Sequence, residues 1–251
     1  MKKYNDKKFI NAETFLSYCN TNEEVLTQPV KAVLVEFPGL DGSSCIGGTR
    51  QMQSYNYEPG ITFGKDGILM AFMFPGPWSW GNRGAVRMAD AVVDAIFEKY
   101  NLPADTPVGV CGGSMGSVGA MMFAIGSRYK VSVVAAACPN VNPLDTLCAH
   151  PEFPRAYISA VASYDAELEE GLKEIALIHR IPDLPKTTYF ICSDGDDEVF
   201  PEEECDKFVA KMKEAGYDVE YHKQPGKKHG GFLDEVRERM HTVIKTTLLG
   251  M

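Results

Sequence analysis

Long apolar runs are missing from this 251-residue chain: no run of about 18 or more occurs, so no helix is expected to cross a membrane. The opening segment, MKKYNDKKFINAETF, has lysines but no apolar run behind them, which excludes a secretory signal as the expectation. Cationic side chains are in deficit. The 25 Lys and Arg face 34 Asp and Glu, for a formal net charge of −9. That is the wrong sign for a nucleic-acid partner, which needs a basic face. The seven cysteines are odd in number and lack any C-x-x-C spacing. Cys111, Cys138 and Cys192 fall in or beside expected core strands, and read as small buried hydrophobes in a reducing compartment. A cytoplasmic address follows as an expectation. No H-E-x-x-H and no clustered Cys/His spacing appears, so neither a metal nor another cofactor is expected. Tryptophan is scarce too: Trp78 and Trp80 are the two present.

What is present is an ordinary globular composition, 45% hydrophobic and 24% charged, in a chain long enough for one sheet covered on both faces. Apolar, β-branched runs predict strands over 30–37, 68–74, 108–111, 131–138 and 187–192, and alternation around Val219 and Tyr221 predicts a last one over 218–221. Helical periodicities alternate with them, and no internal repeat occurs. The expectation is an α/β fold, a mostly parallel sheet with helices on both faces. Residues 1–29 are polar and weakly patterned, and read as a cover segment with a short helix near 12–19. Residues 30–251 form the main domain. Within it, 144–185 carries four prolines and one amphipathic helix (Tyr164, Leu168, Leu172, Ile175), and reads as a small cap insertion. Residues 49–66 suggest no element.

The stretch VGVCGGSMGSVGAMMFAIG, Val108 to Gly126, organises the rest. Four strand-like residues run into Gly112-Gly113-Ser114-Met115-Gly116, and a helical stripe (Val118, Met121, Met122, Ile125) follows. A bare G-x-S-x-G is a weak signal. Strand, sharp turn and helix around it make a nucleophile elbow, which lifts the serine hydroxyl above the sheet. So tight a turn needs small residues two before and two after the serine, and Gly119 would let the helix sit close to the strand. The same stretch lacks G-x-G-x-x-G and the Gly-Lys-Ser/Thr of a phosphate loop.

Two further loops carry chemistry. Ser193-Asp194-Gly195-Asp196-Asp197-Glu198-Val199-Phe200-Pro201 follows one late strand, and Pro225-Gly226-Lys227-Lys228-His229-Gly230-Gly231-Phe232 follows the last. Nucleophile, acid and base then occur in the order Ser114, Asp, His229, each after a strand's C-terminal end. On these motifs the chain, over about residues 30–249, resembles the α/β-hydrolase superfamily. The last two loops are similar to the G-x-x-D-x-x-V-P and G-x-x-H-x-x-F patterns of esterase-like and prolyl-oligopeptidase-like enzymes. The resemblance implies Asp197 as acid and His229 as base. Phe200 stands where the pattern has valine, and Gly195 lies two rather than three residues before Asp197, so Asp194 and Asp196 stay open as acids. It also implies an oxyanion hole from the N–H groups of Met115 and of the Pro38-Gly39-Leu40-Asp41-Gly42 loop, at Leu40; further glycines follow at Gly47 and Gly48. His222 and His241 read as structural or surface, while His150 and His179 fall in the insertion.

The function implied is a serine hydrolase that cleaves a small-molecule carboxylic ester through an acyl-enzyme. Trp78 and Trp80, in a Pro/Gly-rich loop at a strand's C-terminal end, are candidates for lining the substrate pocket, and a sugar acyl ester would suit stacking on them. A prolyl-oligopeptidase-like peptidase is the alternative, disfavoured because these residues include no propeller domain. A non-catalytic binding module on the same fold is the third reading. No nucleic-acid or membrane partner is expected.

Overall fold

The computed structural model describes residues 6–40 and 58–251; Gly42, Gly47 and Gly48, expected to shape the first loop, lie outside them. Seven strands form one sheet: β1 (Cys19–Thr21), β2 (Ala32–Phe37), β3 (Ile68–Met73), β4 (Val108–Gly113), β5 (Val131–Ala137), β6 (Thr188–Asp194) and β7 (Asp218–Gln224). Their spatial order is β1-β3-β2-β4-β5-β6-β7. All neighbours are parallel except β1, which runs antiparallel along the edge of β3 with Cys19 opposite Met73.

Alternate residues of each central strand feed two apolar layers. Val33, Val35, Leu69, Ala71, Val108, Val110, Tyr189 and Ile191 point to one side. Leu34, Met70, Cys111, Val133, Phe190 and Cys192 point to the other. Burial on both faces is why these strands read as unbroken apolar runs rather than alternating ones. On the first side pack α2 (Arg83–Tyr100), α3 (Met115–Gly126) and α8 (Glu202–Glu214); on the second, α1 (Gly60–Lys65) and α9 (Asp234–Leu249).

Helix α2 starts where Asn82 caps it, accepting the Ala85 N–H at 3.0 Å, and ends at Asn101 in a left-handed conformation. The crossover from β5 to β6 carries α4 (Pro143–Thr146), α5 (Phe153–Val161), α6 (Leu168–Ile175) and α7 (Leu177–Arg180). Their buried faces, through Phe153, Tyr157, Leu172, Ile175 and Leu177, belong to the same apolar cluster as α2 and α3. These helices therefore share the core of the sheet and have none of their own.

Two local readings need correction. Residues 12–19 do not form a helix: Phe15–Ser17 is a single 3-10 turn, and Cys19–Thr21 joins the sheet. Strand β1 is fixed by Asn22, which is fully buried, donates to the Gly60 and Ile68 carbonyls and accepts from the Met70 N–H. Three residues held by one polar side chain leave no periodic trace. Helix α1, within the region 49–66 that suggested no element, is likewise too short to show periodicity.

Candidate active site

Ser114 sits at the junction of β4 and α3 with φ 57° and ψ −125°, outside the regions that L residues ordinarily occupy. The sequence permits this because of its glycines. A β-carbon on Gly112 would collide with the Gly116 carbonyl, and one on Gly116 with the Phe37 carbonyl. The Ser114 N–H is tied to the Ala137 carbonyl at 2.9 Å, and the Ser114 carbonyl accepts from the Ser117 N–H and hydroxyl. The strained turn is thus anchored on β5 and on the first turn of α3.

His229 comes from the loop after β7. Its Nε2 lies 2.8 Å from Ser114 Oγ, and its Nδ1 lies 2.9 and 3.1 Å from the two Asp197 oxygens. The loop bends through Gly226, Lys228 and Gly230, all with positive φ. Gln224, buried at the end of β7, closes it by donating to Gly231 O at 2.5 Å and accepting from Leu233 N–H at 3.0 Å. Phe200 packs edge-on against the imidazole, ring centroids 5.1 Å apart. The residue that departed from the expected valine therefore forms a wall of the histidine's pocket.

The three aspartates after β6 have three partners. Asp194, fully buried, accepts from the Asp196 and Lys227 N–H groups, both at 2.8 Å. Asp196 accepts from the Gly226 N–H at 2.8 Å. Both therefore brace the histidine loop, and Asp197 alone of the three reaches His229. Asp197 also accepts from the Val199 and Phe200 N–H groups. Burial pushes its pKa up, but the His229 hydrogen bond and these two backbone donors outweigh that and hold it below the ordinary aspartate value.

A cavity of about 510 Å³ opens over the serine, lined in part by Pro38, Gly39, Leu40, His150, Phe153 and Val199 together with Ser114 and His229. Met115 is the first residue of α3, so its N–H has no carbonyl one turn back to bond and points out of the helix N-terminus. Leu40 is among the residues that line the cavity with the serine. His150, Glu152 and Phe153, at the start of α5, carry no sequence signal and were not among the expected site residues.

Neither tryptophan is among the residues lining this cavity. Trp80 is 1% exposed and packs among Phe153, Tyr157 and Phe200, with ring centroids 4.6–6.5 Å away. Its ring fills the seam between α5 and the acid loop, which removes it from any pocket wall. Trp78 lies on the surface, 38% exposed. A larger cleft, about 670 Å³, lies between α2, α3 and α6–α7 and is lined by Arg83, Arg87 and Arg180, away from the serine. Among the described residues, no helix is long and apolar enough to cross a membrane.

A model of the prolyl oligopeptidase family matches residues 78–245, two-thirds of the chain. No curated protein matches the sequence. Among solved structures, the chain is similar to puromycin hydrolase at 18% identity and a TM-score of 0.69, over 90% of this chain and 35% of that one. It is similar to esterase B from Lactobacillus rhamnosis at 12% identity and a TM-score of 0.66, over 88% of this chain and 76% of that one. It is similar to the acylaminoacyl peptidase of Pyrococcus horikoshii at 14% identity and a TM-score of 0.60, over 86% of this chain and 36% of that one. The chain spans about a third of the length of the puromycin hydrolase and of the peptidase. What is shared at these identities is the fold, that of the α/β-hydrolases.

Proposed function

The chain belongs to the prolyl oligopeptidase family, and on that premise we propose that it is a serine hydrolase acting on a small carboxylic ester, with Ser114, His229 and Asp197 as its catalytic groups. The observation that carries this reading is the continuous relay of hydrogen bonds, Ser114 Oγ to His229 Nε2 and His229 Nδ1 to Asp197, at the floor of the 510 Å³ cavity.

A serine hydroxyl is a weak nucleophile until a base within hydrogen-bond reach takes its proton. His229 Nε2 is at that distance. As Ser114 Oγ attacks the ester carbonyl, the proton passes to Nε2. The imidazolium so formed donates through Nδ1–H to Asp197, which stays ionised because its hydrogen bonds hold it below the ordinary range. The developing oxyanion is assigned to the N–H groups of Met115 and Leu40. Removing one such donor typically costs about 3 kcal/mol of transition-state stabilisation. Collapse returns the proton to the alcohol and leaves an acyl-Ser114. Water, deprotonated by the same histidine, then releases the acid. Residues 144–185 act as a cap, since α5 supplies Phe153 to the cavity wall.

The preference for an ester rests on the apolar lining of a metabolite-sized cleft, through Leu40, Phe72, Phe153 and Val199. The sugar ester loses its support, because that idea depended on the tryptophans. One observation favours the second reading, a peptidase: Glu36 and Glu152 also line the cleft, and carboxylates there suit a substrate with a free amine. A nitrophenyl ester series set against peptide anilides, on protein first shown to react with a fluorophosphonate, separates the two. Higher kcat/KM on esters supports the proposal, and higher kcat/KM on anilides replaces it with the peptidase. No labelling at all points to a binding module.

A further inference from the structure

Three different donor atoms converge behind the serine. The Cys138 sulfur, an Asp197 carboxylate oxygen and a His229 ring nitrogen all lie within 4.8 Å of one another, an arrangement found nowhere else among the described residues. They come from the loops after β5, β6 and β7, so three adjacent parallel strands hold them. Cys138 is 2% exposed and adopts φ 47°, in the left-handed region. Its N–H donates to the Cys192 carbonyl at 2.8 Å, which fixes the turn. The thiol hydrogen bonds to Asp197 and receives the Gly230 N–H, and burial keeps it neutral in the resting protein by pushing its pKa up to about 11. The proton relay makes no use of this sulfur.

We propose that Cys138, Asp197 and His229 form an inhibitory site for a borderline-soft divalent cation, Zn²⁺ or Cd²⁺. This rests on the reading of His229 as the base. Thiolate, imidazole and carboxylate are the donor set that zinc takes in a tetrahedral site, with ligand atoms about 3.5 Å apart. The present spacings are 2.9 Å between His229 Nδ1 and Asp197 and at most 4.8 Å for the other pairs. His229 is partly exposed and lines the cavity beside Gly230, which gives the ion a way in.

Binding has a defined proton balance. The Cys138 thiol loses its proton to solvent. The metal replaces the proton on His229 Nδ1, and the imidazole takes one up at Nε2. One proton is released per ion, and nothing is oxidised or reduced. The nitrogen that faces Ser114 Oγ then donates a hydrogen bond instead of accepting one, so the hydroxyl keeps its proton. Which ring nitrogen carries the proton is set by what the other one binds, and the metal selects the tautomer that cannot act as base.

The test titrates the intact protein with CdCl₂ and with ZnCl₂ in chelator-free buffer, reading ultraviolet absorbance and ester turnover. One equivalent of Cd²⁺ should raise the charge-transfer band of a cadmium–thiolate bond, and Zn²⁺ should abolish turnover until EDTA restores it. Loss of even an outer-shell partner weakens metal binding about 10- to 100-fold. Cys138→Ser should therefore lose the band and need at least about tenfold more zinc for half-inhibition of its own metal-free rate. Cys148→Ser, which removes an exposed thiol, should behave like the parent. An absent band in the parent, a band lost in Cys148→Ser, or unchanged zinc sensitivity in Cys138→Ser overturns the proposal. Should Cys138→Ser not fold, the band and its stoichiometry in the parent decide. A failure of the catalytic reading shows separately, as turnover that survives Ser114→Ala.

Discussion

Gly119 faces Phe37 so closely that a β-carbon on the glycine would stand 2.7 Å from the aromatic ring. That contact lets α3 lie against β2 and sets the height at which Ser114 leaves the sheet. Gly116, one turn earlier, meets the Phe37 carbonyl itself. A ring can shift and a backbone carbonyl in a central strand cannot. Gly119→Ala should therefore cost about 1–3 kcal/mol, the usual range for overpacking, and retain measurable turnover. Gly116→Ala should cost clearly more than that and abolish turnover. Denaturant melts of both variants check the order, and equal stabilities would contradict it.

On the proposed reading, Asp194 serves stability and Asp197 catalysis. Asp197→Asn should leave the melting temperature nearly unchanged and lower kcat by about 10⁴, the effect of presenting the wrong histidine tautomer. Asp194→Ala leaves the Asp196 and Lys227 N–H groups without their acceptor. It should destabilise by about 1–3 kcal/mol in all, the range for losing hydrogen bonds to a charged acceptor. At a temperature where the variant is folded, its turnover should fall much less than that of Asp197→Asn. Similar kinetic losses in the two would refute the division of labour.

Trp80 is a brace. Its Nε1 is buried without a hydrogen-bond partner, so the ring is held by packing rather than by a hydrogen bond. Trp80→Ala should cost about 3–5 kcal/mol, while Trp80→Phe, which keeps much of the ring and removes the orphaned donor, should cost clearly less. Across an ester series, kcat/KM should change by one common factor. A change that depends on the acyl or alcohol group would return Trp80 to the substrate pocket.

The pair between β7 and α9 predicts a pH effect. Arg239 donates to both Glu220 oxygens at 2.7 Å and, with His222, holds that carboxyl at about 2. The folded value lies below the unfolded value of about 4.3. The contribution is therefore fully present above about pH 4.3 and fades as pH falls toward 2. Glu220 is partly exposed, so the ceiling is about 1 kcal/mol. Parent and Glu220→Gln should differ in stability at neutral pH and converge as acid is added. A constant gap over that window contradicts the assignment.

How much of this was legible in the sequence follows from what each part depends on. Five of the parallel strands were readable because burial on both faces writes an apolar run; the edge strand β7, polar and only partly buried, showed instead as alternation around Val219 and Tyr221. The elbow was readable because its sterics demand glycine at Gly112 and Gly116. His229 and the acid loop were readable from their place after strand ends. Choosing among Asp194, Asp196 and Asp197 was not settled there, since all three lie on one loop and their backbone partners, Lys227 and Gly226, sit some 30 residues away. The walls of the cleft were illegible for the same reason. Phe153 and Glu152 reach the serine only because the crossover helices fold back over β5. Trp80 was misread because an aromatic after a strand looks the same whether it faces a cleft or a seam.

The central claim is that Ser114 forms the acyl-enzyme, and kcat/KM of Ser114→Ala on the best ester substrate tests it most directly. With the melting temperature unchanged, turnover should fall by about 10⁴–10⁶-fold, leaving only what binding and the oxyanion hole supply. Turnover within about tenfold of the parent would contradict the account.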